Sequence, residues 1–140
     1  MIQLGSGIYV VKRAAALSKS VEHSAIADVG NRLGLLPRRD VFHPHAVVLV
    51  HQTPPTLAFE SLPDGLGDEW TVVGQITDEA GARERFARAA ANRAYALFNN
   101  NCEQFASEVA TGKRQSPQLF AAAAVVALGV LIWILGSSEN

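Results

Sequence analysis

A chain of 140 residues with a net charge of -1 can hold one modest core, and it lacks the basic excess of a nucleic-acid-binding protein. Its one cysteine, Cys102, cannot form a disulfide within the chain, so cysteine usage gives no sign of an oxidising compartment. The last twenty or so residues differ in composition from the rest, which divides the chain into a domain over 1–115 and an apolar tail over 119–136.

The opening, Met1 to Val11, has no basic start and no long apolar run, so it is not read as a secretory leader. Ile8 to Val11 is a β-rich run and predicts a first strand. Residues 12–20 are basic and small and read as a connection. Val21 to Val29 predicts a second strand that stops at the turn pair Gly30-Asn31. Residues 34–44, broken by Pro37 and Pro44, read as a loop. Ala46 to Val50 is the clearest strand, apolar and β-branched, and it ends before Pro54-Pro55. Thr56 to Leu62 and Trp70 to Ile76 predict two more strands.

Helical signals begin at Thr77, a capping residue followed by Asp78 and Glu79, which suit the positive end of the helix dipole. Phe86, Ala90, Ala94 and Leu97 follow at helical spacing. A second helix is expected to open at Cys102, capped by Asn100 or Asn101, and to close near Gly112. The acidic stretch over 60–79 reads as a solvated loop and helix start.

Leu119 to Gly136 is eighteen residues without a charge, and as a helix it would span about 27 Å against a hydrocarbon core of roughly 30 Å. Trp133 lies near one end, and Lys113 and Arg114 flank the other. The expectation is a single C-terminal transmembrane helix, a single-pass anchor with the domain on the cytoplasmic side.

Cys102 at a helix start is chemically useful. Free amides and the dipole favour the thiolate, and the same amides can hold an oxyanion. Such a thiol needs a base, which calls for histidine. His23 lies in a predicted strand and His51 ends another. His43 and His45 lie in the Pro-broken loop and read as solvated side chains, with no third ligand of metal type near them.

The run Asn100-Asn101-Cys102-Glu103-Gln104-Phe105, with Tyr95 before it and Gly112-Lys113 after, resembles the Asn-Cys-Glu-His-Phe signature of the lecithin:retinol acyltransferase-like (LRAT-like) family. Val21-Glu22-His23-Ser24-Ala25-Ile26 is similar to that family's first histidine element. Val48-Leu49-Val50-His51-Gln52-Thr53-Pro54-Pro55 is similar to its second. Gln104 departs from the motif's usual histidine. His51 follows His23 by 28 positions, more than the usual gap, so 31–45 looks like an inserted loop. His51 is preferred as the second histidine because it follows an apolar strand and precedes paired prolines, with His43 or His45 as the alternative.

The resemblance implies an α+β fold, a small antiparallel sheet packed on helices in the permuted papain-like arrangement. It also implies acyl transfer through a thioester at Cys102, with His23 as base, His51 orienting it, and no metal or cofactor needed. The first expectation is therefore a membrane-anchored thiol acyltransferase or phospholipase A whose partner is a membrane lipid. The alternatives are a cysteine peptidase or amidase, and a non-catalytic interaction module. The oligomeric state is left open.

Overall fold

The computed structural model describes residues 1–15, 18–36, 46–53, 56–91, 101–115, 124–128 and 130–131. Five strands form one sheet: β1 (Gly7–Ala15), β2 (Ser18–Val29), β3 (Val47–Thr53), β4 (Thr56–Leu62) and β5 (Thr71–Ile76). Two helices follow, α1 (Glu79–Ala91) and α2 (Cys102–Thr111). The strand order is β4-β3-β2-β1-β5, and every neighbouring pair is antiparallel.

Alternation along the strands gives the sheet two apolar faces. Ile8 of β1, Ile26 of β2, and Val48 and Val50 of β3 pack against Phe86 of α1 and Phe105, Ala106 and Val109 of α2. The opposite set is Tyr9, Val11, Ala25, Ala27, Val29, Val47 and Leu49, covered by Leu66 and Trp70 from the segment between β4 and β5. The sheet is therefore the middle of three layers, which explains why Val47 to Val50 has no polar position: both faces are buried.

Residues 12–20, read as a connection, belong largely to the β1–β2 hairpin. The ladder runs from Gly7↔Val29 to Arg13↔His23 and beyond, with a register shift at Ala14/Ala15. Cross-strand pairing supplies an order that composition alone does not signal. At the other end of β2, Gly30 and Asn31 turn the chain with positive φ, and the buried Asp28 carboxylate accepts from the Arg32 and Leu33 amides at 2.7 and 2.9 Å.

The start of α1 is capped by Asp78 rather than Thr77: its carboxylate accepts from the Gly81 amide at 3.0 Å. Ala82, Phe86 and Ala89 form the buried face of α1. Ala94 and Leu97, also expected on this helix, lie outside the described residues, as do His43, His45 and Asn100. The α2 helix opens at Cys102 under a capping box: Asn101 Oδ1 accepts from the Gln104 amide at 2.9 Å, and Gln104 Oε1 accepts from the Asn101 amide at 3.2 Å. It closes at Gly112, whose φ of 80° suits a residue without Cβ.

The apolar tail requires a correction. Among the described residues no helix is long and apolar enough to cross a membrane. The helical residues there are 124–128 and 130–131, and their side chains are exposed. Five residues rise roughly 8 Å, whereas the hydrocarbon core is roughly 30 Å thick. The fold class therefore loses its C-terminal transmembrane helix, and the single-pass anchored localisation is not supported. The physical reason is that an uncharged, Ala- and Leu-rich stretch permits a helix without setting its length. The rest of 119–136 lies outside the described residues.

Candidate active site

His23 and His51 meet at the end of the β2–β3 pair. His23 Nε2 and His51 Nδ1 are 2.5 Å apart, and the ring centroids are 4.8 Å apart with planes inclined at 69°. Both rings belong to the sheet face that carries Trp70. His51 follows the alternation of Val47 and Leu49, and His23 follows that of Ala25 and Ala27. Trp70 is buried with its ring 6.0 Å from that of His23. The Arg13 guanidinium, cross-strand from His23, lies over the indole at 4.6 Å.

This environment keeps both imidazoles neutral. Burial, then the charge of His51 and of Arg13, pushes the His23 pKa down to about 4. Burial is also the largest effect on His51, lowering its pKa, and Glu60 partly offsets it.

Cys102 sits on α2, the helix packed against the other face of the sheet. The β2–β3 ladder stops at Ile26↔Val50, and past that point the Ser24 backbone amide donates to the Cys102 sulfur. The thiol is therefore near the residue that follows His23 in the chain. Among the described residues no hydrogen bond joins the thiol to either ring.

The helix start does not by itself make a thiolate here. Burial raises the Cys102 pKa above its ordinary 9.0, while the amides of Ser24, Glu103 and Cys102 itself pull it down and the Glu103 charge adds to the rise. Desolvation outweighs the helix-terminal donors, so the resting pair is a thiol and a neutral imidazole.

Gln104, which departs from the family motif, holds the α2 capping box. Sequence reasoning passed over Ser24, Arg13 and Trp70. The proximity of Ser24 to His23 in the chain was visible, but the contact between its amide and Cys102 depends on how α2 docks. Comparison with protein-family models, curated proteins and solved structures returns no significant match for this chain.

Proposed function

We propose that this protein is a thiol acyltransferase or acyl hydrolase working through a thioester on Cys102. The observation that carries this reading is the short His23–His51 hydrogen bond, set one residue from the amide that holds the Cys102 sulfur. Two coupled imidazoles and a helix-start cysteine are the residue types of a nucleophile, a base and a group that orients the base.

The proposed chemistry requires one tautomer of this pair. If His23 donates Nε2–H to His51 Nδ1, its own Nδ1 lone pair is free to take a proton. The thiol proton passes to this nitrogen, directly or through one water, as the thiol closes on substrate. The sulfur attacks the acyl carbonyl, the oxyanion collapses, and the imidazolium returns its proton to the leaving alcohol. Water or a second alcohol then takes the acyl group by the reverse steps. His51 fixes the ring and stabilises the imidazolium.

The substrate class is an acyl ester. Lipid esters remain within it on the strength of the LRAT-like resemblance, since among the described residues no helix is long and apolar enough to hold the site at a bilayer. The test is incubation with a phospholipid, a soluble activated ester and a peptide amide, followed by intact-mass measurement of the Cys102 adduct. An acyl adduct from either ester supports the reading. An adduct from the amide alone favours a peptidase or amidase, and no adduct from any of them favours a binding module.

A further inference from the structure

Between β1, β2 and α2 lies a cavity of about 170 Å³. Its lining is ordered from one end to the other. Lys12 of β1 is the cross-strand partner of Ser24 of β2, and Lys12 Nζ approaches Glu103 Oε1 of α2 to 4.0 Å. These three make a polar end. Two residues back along β1 stands Val10, and further along the same face of α2 stand Ala106 and Ala110, which make an apolar end.

Ser24 is 1% exposed, and its hydroxyl finds no hydrogen-bond partner among the described residues. A buried hydroxyl without a partner is costly, and natural structures rarely keep one without a use. Strand alternation puts Ser24 on the face of the sheet that looks toward α2, with Lys12, and puts His23 on the opposite face. The cavity is therefore separate from the histidine pair.

The polar end carries one cation and one anion. A ligand bearing only a carboxylate would set it against Glu103, and one bearing only an ammonium would set it against Lys12. A zwitterion meets both side chains with opposite charge and brings the Ser24 hydroxyl an acceptor. The apolar end asks for a short aliphatic side chain on the same molecule. A cavity of about 150 Å³ takes a benzene ring, so this one suits about six to eight non-hydrogen atoms. That is the size range from alanine to valine.

We propose that the cavity between β1, β2 and α2 binds a small aliphatic α-amino acid. Its carboxylate lies on Lys12 and accepts from Ser24 Oγ–H, its ammonium lies on Glu103, and its side chain lies against Val10, Ala106 and Ala110. This is a binding site distinct from the acyl chemistry, and it uses neither Cys102 nor the histidines.

The test is calorimetric titration of the full chain with L-valine, paired with thermal melts at rising L-valine concentration. Heat of binding and a concentration-dependent rise in Tm are expected. N-acetylvaline and valinamide, which each lack one of the two charges, should bind at least roughly tenfold more weakly, and L-phenylalanine should be excluded by size. Ser24→Ala should weaken L-valine binding roughly tenfold while melting no lower than wild type without ligand. Glu103→Gln should weaken it by roughly ten- to a hundredfold. Ala110→Leu, which fills the apolar end, should abolish it. The proposal is overturned if L-valine gives neither heat nor a rise in Tm, or if N-acetylvaline or valinamide binds as tightly as L-valine. It is also overturned if Ser24→Ala and Ala110→Leu both bind like wild type, which would place the amino acid elsewhere. The same titration on Cys102→Ala should match wild type, so the result is read independently of the acyl-transfer reading.

Discussion

His23 Nε2 and His51 Nδ1 face each other across 2.5 Å on the Trp70 side of the sheet, while the cysteine they would serve is carried by the helix on the other side. The Ser24 amide, one residue after His23, is among the groups that lower the Cys102 pKa. The division of labour between the two rings gives the first prediction. Cys102→Ala should abolish ester turnover with the fold intact. His23→Ala should lower kcat by about 10²- to 10⁴-fold, the range of a lost general base. His51→Ala should cost less, because it orients and does not transfer the proton, and His45→Ala should leave the rate unchanged. Steady-state kinetics on a p-nitrophenyl ester decide this, and a damaging His45→Ala would move the second histidine into the loop.

Thiol reactivity should rise late with pH. Burial holds the Cys102 pKa above 9.0, so alkylation by iodoacetamide should be slow at neutral pH and still climbing beyond pH 9. A plateau reached below neutrality would mean a preformed thiolate–imidazolium pair and would overturn the neutral resting state. The acid limb of ester turnover should fall near the His23 value of about 4, not near 6.5.

Stability should follow the same groups. His23 and His51 bind a proton more readily in the unfolded chain than in the fold, because their folded pKa values are lowered from 6.5. Their contribution is therefore complete above pH 6.5 and declines as the pH falls toward about 4. The Cys102 shift has the opposite sign, so its contribution is complete below 9.0 and is lost as the pH rises further. Thermal melts across this range should show a plateau between the two limits, and replacing both histidines with alanine should flatten the acid slope.

The start of α2 should be worth a measurable amount. Asn101→Ala removes the acceptor for the Gln104 amide and should cost about 1 kcal/mol in urea unfolding. It should also slow Cys102 acylation, since the same turn supplies the amides beside the sulfur. An unchanged midpoint would show that the capping box adds nothing to stability.

Asp28 holds the turn after β2. Asp28→Ala leaves the Arg32 and Leu33 amides without their carboxylate, and should cost about 1–3 kcal/mol, read by the same unfolding measurement. The lesion lies at the far end of β2 from His23, so kcat per folded molecule should be preserved.

Where local chemistry decides, the amino-acid order is informative. Asn101 and Gly112 bracket α2 because one side chain caps free amides and one residue tolerates positive φ; both signals act within a few residues. Val47 to Val50 reads as a strand because β-branched side chains crowd a helix and pack well on a pleated surface. Tertiary structure decided the rest. The β1–β2 ladder turned residues 12–15 and 18–20 of the basic stretch into strand, which no local preference required. The docking of α2 left Cys102 half-buried, and the resulting desolvation reversed the thiolate preference that its helix-start position implied. Strand parity and packing put His23 and His51 on the Trp70 face and Ser24 on the other. The tail shows the same limit: composition permitted a membrane-spanning helix, but helix length depends on cooperative backbone order over many residues, and no helix of that length forms among the described residues.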